Sequence, residues 1–135
     1  MIYTSNFFQQ PNDPRHISIA ARAPDFFLGD VFSVLYPKWG FFQQYKKDHD
    51  TLAYTRAYYE QVLSKLNPEE VFSILDKLPK DSILVCWEAP GEFCHRRIVA
   101  KWLEDNLDIK VPEYDYQMAP EKTGNNQTSI TPEIL

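Results

Sequence analysis

The sequence predicts a single α/β domain: a small, mainly parallel sheet of about four strands flanked by helices, in a Rossmann-like arrangement. Three observations lead there. Strand-like and helix-like segments are interspersed along the chain. The run Ile83-Leu84-Val85 is continuously apolar, as a strand covered on both faces requires. The chain has 135 residues, 44% of them hydrophobic and 24% charged, which suffices for one core and is too little for two. Residues 1–116 are read as the domain. Residues 117–135, rich in Pro, Thr, Asn and Gln and with little to bury, are read as a polar C-terminal tail.

In chain order, Ile2-Tyr3-Thr4-Ser5 is β-branched and aromatic and predicts a first strand, ended by the polar stretch around Pro11 and Pro14. His16 to Ala20 alternates apolar and small polar positions, predicting a second strand closed by Pro24. Gly29 to Gly40, interrupted by Pro37 and rich in rings, predicts irregular or short helical structure. Thr51 is placed as the cap of a helix through Leu66, with Tyr58, Tyr59, Val62, Leu63 and Leu66 on one face. Asn67-Pro68-Glu69-Glu70 reads as an N-cap, a first-turn proline and a capping-box Glu. That helix should bury Val71, Phe72, Leu75 and Leu78 and stop at Pro79. Ser82 to Trp87 is the central strand. After the Ala89-Pro90-Gly91 turn, a helix from about Cys94 to Asn106 sets Ile98, Val99, Trp102 and Leu103 on one stripe. Val111 to Tyr116 is predicted as a last strand.

Charge and composition exclude several functions. Fourteen basic against nineteen acidic residues give a net charge of −5, so the surface as a whole repels nucleic acid. A duplex-DNA binder is not expected, and any anion site must be a local basic patch. No apolar run reaches the roughly 20 residues of a membrane span, and the first residues lack a signal-peptide pattern. The expected address is cytoplasmic. Two cysteines are too few to staple a secreted domain.

Both cysteines fall in one stretch, Val85 to Glu104, together with a histidine and two adjacent arginines. A parallel strand whose loop feeds a helix puts that loop at the carboxyl edge of the sheet, where open α/β folds bind ligands. The unpaired N–H groups and dipole of a helix start favour an anion, and the same field lowers a thiol's pKa. Cys94 is therefore the candidate nucleophile, His95 and Glu88 are candidates for moving protons, and Arg96 is the candidate anion-binding residue. Consecutive helical residues point about 100° apart, so at most one of Arg96 and Arg97 aims at the pocket. Cys86, ending an apolar strand, reads as packing.

Cys86, Cys94 and His95 supply three potential zinc ligands and His16 a fourth, but C-x7-C-H is not a recognised zinc spacing and no second pair follows, so no metal is assigned. A Cys86–Cys94 disulfide is sterically feasible but disfavoured in a reducing compartment. A phosphatase-like loop is also a poor match, because the distance from Cys86 to Arg96 is too long to wrap one phosphate. Three Phe pairs, Phe7-Phe8, Phe26-Phe27 and Phe41-Phe42, are read mainly as core, with a planar-group slot as the alternative.

The run Cys86-Trp87-Glu88-Ala89-Pro90-Gly91-Glu92-Phe93-Cys94-His95-Arg96, continued by Val99-Ala100-Lys101-Trp102-Leu103, resembles the signature of the family catalogued as domain of unknown function 488. Ile17-Ser18-Ile19-Ala20 with Arg22 and Pro24 resembles the family's other polar strand end. Tyr58 to Leu63 and Leu66 to Val71 are similar to it as well. The resemblance implies a fold and a site but no agreed reaction, and it gives Arg97 no role. If the second strand neighbours Ser82–Trp87, Arg22 would face the Cys94 turn and could clamp an anion together with Arg96.

Three readings stay open at this level. One is an enzyme acting on a small anionic, nucleotide-like molecule through Cys94, His95 and Glu88, with Arg22 and Arg96 binding charge. The second is a non-catalytic module for a nucleotide, a phosphorylated partner or a nucleic-acid end. In the third the cluster only knits the fold.

Overall fold

The computed structural model describes residues 1–78 and 80–117. Four parallel strands, β1 (Ile2–Asn6), β2 (His16–Ser18), β3 (Asp30–Val31) and β4 (Ser82–Cys86), form one sheet in the order β1-β4-β2-β3. The α/β class and the parallel four-stranded sheet are as expected, and β4 is indeed central. It pairs with β1 from Ile2↔Ser82 to Asn6↔Cys86 and with β2 from His16↔Ile83 to Ser18↔Val85. All five of its residues are buried, which is why its sequence is apolar without alternation.

Helices α1 (Trp39–Asp48), α2 (Thr51–Gln61), α3 (Pro68–Asp76) and α4 (His95–Leu107) complete the domain. One core holds Ile2, Ile17 and Leu84 from the sheet, with Ile19 just past β2, against Tyr58 and Leu63, Val71 and Leu75, and Val99 and Leu103. Ile83 and Val85 point the other way. They pack with Phe7, Phe27, Tyr114 and Tyr116 from loops and with the two cysteines.

Asn67 caps α3, its side chain accepting from the Glu69 and Glu70 amides, with Pro68 in the first turn as read. Val71 and Leu75 are buried, whereas Leu78 is 40% exposed. The helix ends at Asp76 with Lys77 as its C-cap, short of the stop expected at Pro79; Pro79 itself and nearly all of the 117–135 tail lie outside the described residues.

Three expectations are corrected. The cap of α2 is Asp50, which accepts from Ala53 N, and the helix ends at Gln61, a 3-10 turn (Leu63–Lys65) replacing its last turn. Leu63, the first residue of that turn, is fully buried in the core. The stretch 29–40 holds a short 3-10 helix (Ser33–Leu35), as read, but also the two-residue edge strand β3, and residues 39–48 form a helix the sequence reading left out. Val111–Tyr116 is not a strand. It lies beside β1 but makes only the Thr4↔Glu113 bridge, through Thr4 N to Pro112 O and Tyr114 N to Thr4 O. Pro112 lacks an N–H, and the Tyr114 and Tyr116 rings turn onto Arg15 and His16, so the ladder does not extend. Helix α4 forms as read, from His95, with Cys94 as its N-cap residue, to Leu107.

Candidate functional site

The site is built where β2 and β4 end side by side. Ser18 Oγ and the backbone of Ala20 bond each other, turning the chain out of β2. Trp87, just past β4, donates its indole N–H to the Arg22 carbonyl at 2.7 Å and pins that exit. Gly91, at φ 86, takes the left-handed conformation that the β4–α4 loop needs, and Glu92 closes the loop by accepting from the Ala89 amide.

These elements surround a cavity of about 630 Å³. Ala20, Ala21 and Arg22 line it from the end of β2, Cys86, Trp87 and Glu88 from the end of β4, and Phe93, Cys94 and His95 from the start of α4. The opposite wall is α1, with Trp39, Phe42, Tyr45 and Lys46, backed by Tyr54 of α2. Arg22, Glu88, Cys94 and His95 therefore share one hollow.

Arg96 and Arg97 stand elsewhere. Stepping about 100° per residue from the pocket-facing His95 turns both away from the cavity, Arg96 to Glu113 and the end of β4, Arg97 to Thr4 of β1 and Val111. The Arg96 guanidinium, 1% exposed, is bidentate to Glu113 at 2.9 and 3.0 Å, and its third nitrogen reaches Glu88 O at 2.9 Å and Cys86 Sγ at 3.0 Å. Arg97 donates to Thr4 Oγ1 and to Val111 O, both at 2.8 Å. Thr4 Oγ1 also donates to Glu113. Arg96, expected to bind an anion in the pocket, is instead committed to the Glu113 carboxylate and does not line the cavity. Burial by itself would raise the Glu113 carboxyl, but hydrogen bonds from Arg96 and Thr4 and the charges of both arginines hold it below its ordinary value.

His95 is buried, and its Nε2 lies 2.7 Å from Ile19 O. A carbonyl only accepts, so Nε2 carries the hydrogen and Nδ1 keeps the lone pair, 3.9 Å from Cys94 Sγ. Burial pushes its pKa down to about 4 against the opposing effect of that bond, so the ring is neutral at pH 7. Burial likewise raises the Glu88 carboxyl, outweighing the Arg96 charge, and its Oε1 is 3.5 Å from Cys86 Sγ. Cys86 and Cys94 are joined as a disulfide, although the sequence reading disfavoured one. The strand end and the helix start bring both sulfurs to the same corner. In this form Cys94 has no thiol to ionise.

The family model described as "Active DUF488-N3 subclade" matches residues 9–107. The chain belongs to the DUF488 family. No curated protein and no solved structure is similar enough to match it. The matched span of this DUF488 chain holds every residue that lines the cavity.

The sequence reading missed the α1 wall. Phe41, Phe42 and Tyr45 at helical spacing, among Gln and Lys with Lys46 and Lys47 in the last turn, were the available signal. Of the three Phe pairs, only Phe42 faces the cavity. Phe41 packs on Tyr54 and Tyr58, while Phe7, Phe8, Phe26 and Phe27 interlock with one another and with Trp87. His16 is also apart from the cysteines, bonded through Nε2 to Tyr116, which in turn donates to Asp13. Among the described residues, no helix is long and apolar enough to cross a membrane.

Proposed function

We propose that this DUF488 chain binds a small anionic molecule with a planar, nucleotide-like part in the cavity at the carboxyl edge of the sheet. The observation that carries the reading is the composition of one hollow. A volume of about 630 Å³ suits a small molecule. Trp39, Phe42 and Tyr45 give the lining aromatic surface for a planar group, and Arg22 and Lys46 give it positive charge. The cationic role expected of Arg96 passes to Lys46, because Arg96 is committed to Glu113 and Glu88 O. Arg96 acts as a positioning residue, holding Glu88 and Cys86 at the rim.

Enzymatic action on that ligand belongs to the reduced chain, in a cytoplasmic setting that keeps both thiols free. Cys94 is then the attacking group, His95 Nδ1 the nearest acceptor for its proton, and Glu88 the proton donor to a departing group. The description of the matched subclade as active supports this reading. A non-catalytic binding module is favoured by a different observation, the Cys86–Cys94 bond, which leaves no nucleophile.

A thermal-shift panel of nucleotides, sugar phosphates and inorganic phosphate tests the binding. A nucleotide should raise the melting temperature, and Arg22→Ala and Trp39→Ala should each weaken that effect. A stacked base is worth about 1–3 kcal/mol, so Trp39→Ala should cost roughly 5- to 150-fold in affinity. No stabilisation by any compound, or equal stabilisation of both variants, refutes the site. Iodoacetamide then separates the readings: in the reduced chain Cys94 should alkylate quickly and be protected by the bound nucleotide if it is catalytic.

A further inference from the structure

We infer that the reduced chain holds a thiophilic divalent metal of the zinc class on Cys86 Sγ, Cys94 Sγ and His95 Nδ1, with the fourth position open to the cavity. The spacing of these residues argued against zinc, but spacing describes motifs in which the ligands share a loop. Here one ligand ends β4, another precedes α4 and the third opens that helix, so the fold assembles what the order of residues conceals.

Several independent features agree. The three donor atoms lie within 4.8 Å of one another, and all three residues are buried. Tetrahedral zinc, with bonds of about 2.3 Å to sulfur and about 2.0–2.1 Å to nitrogen, sets its donors about 3.3–3.8 Å apart, so modest side-chain rotation suffices. The Cα atoms of the two cysteines stand 7.4 Å apart, wider than the roughly 4.4–6.8 Å usual for a disulfide. Two thiolates around one ion suit that backbone separation.

The outer partners are present too. Ile19 O takes the Nε2 hydrogen of His95, which fixes the tautomer with Nδ1 free to bind and orients the ring. Arg96 Nη1, 3.0 Å from Cys86 Sγ, donates to that sulfur and offsets the charge of a second thiolate. Two sulfurs and one imidazole are a borderline-soft donor set, which favours zinc over magnesium or calcium. Three protein ligands with an open fourth position is the pattern of a metal that handles substrate rather than one that only staples a fold.

Binding replaces two thiol protons by one divalent ion, releasing both protons to solvent, so the disulfide and the metal exclude each other. The inference does not require the nucleotide reading. Where the metal is bound, Cys94 is a ligand and not an attacking group, and the ion adds positive charge at the floor of the cavity.

The test is a cobalt titration of the metal-free full chain kept reduced by a phosphine. One equivalent of Co²⁺ should give thiolate-to-cobalt charge-transfer bands and the visible bands of tetrahedral cobalt, and zinc should abolish both. Cys86→Ser, Cys94→Ser and His95→Ala should each weaken binding at least 10-fold. Because these variants could fail to fold, thiol counting on the unaltered chain runs alongside. Zinc should shield two thiols from a disulfide reagent, and a chelator should expose them. The inference is overturned if the reduced chain gives no charge-transfer bands, if zinc shields no thiol, or if the oxidised chain binds cobalt equally well. A nucleotide-induced thermal shift in the oxidised, metal-free chain would uphold the ligand reading whatever the cobalt result.

Discussion

Replacing Glu113 by Ala isolates the interaction that fixes Arg96 under the site. The guanidinium is buried at 1% exposure, and Glu113 is its only anionic partner among the described residues. Removing the carboxylate leaves a buried charge with two neutral contacts, Glu88 O and Cys86 Sγ. Breaking a buried pair in this way costs about 3–5 kcal/mol. Glu113 keeps 32% of its side chain exposed, and water can enter the vacated space, which argues for the lower end, about 3 kcal/mol.

With a urea m-value of about 1.5 kcal/mol/M, the unfolding midpoint should fall by about 2 M, and the melting temperature by about 10 °C. Both are measured at pH 7 under reducing conditions. The pH dependence is a second readout. The folded-state pKa of Glu113 lies below its unfolded value, so its contribution is complete above the ordinary carboxylate range and is lost as pH falls through the lowered value. The difference between wild type and variant should therefore narrow on acidification below about pH 4. A midpoint shift of less than about 0.5 M, or a pH-independent difference, would show that the pair behaves as an exposed ion pair and would refute the positioning role of Arg96.

Two further outcomes concern the scaffold. Tyr58→Phe removes the hydroxyl that donates to Leu35 O at 2.7 Å in a fully buried setting, and should cost about 1–3 kcal/mol in urea unfolding with no effect on ligand-induced stabilisation. Asn67→Ala strips two amides at the start of α3 of their acceptor and should cost about 1 kcal/mol; a neutral result would mean that water caps that end as well as the side chain does.

What the sequence determined by itself was the part governed by local chemistry. The unbroken apolar run of β4, the Asn67-Pro68 start of α3 and the stripe Ile98, Val99, Trp102 and Leu103 on α4 each express a short-range rule, and each forms as read. The corner where β2, β4 and α4 meet was legible for the same reason, since a strand followed by a helix determines which edge the loop occupies. Helix α1 was obscured because its rings are only partly buried and Pro37 and Gly40 interrupt the pattern around its start.

Only the tertiary structure decided the partners. Arg96 turns to Glu113, 17 residues away, because the bridge to Thr4 lays that carboxylate beside the start of α4. The expected strand at 111–116 gives way to a single bridge that positions Glu113 and Tyr114 rather than extending the sheet. Cys86 and Cys94 meet, and α1 walls the cavity, through the sum of distant packing choices. Local rules set the shape of each segment, whereas the meeting of side chains depends on where every other segment has gone.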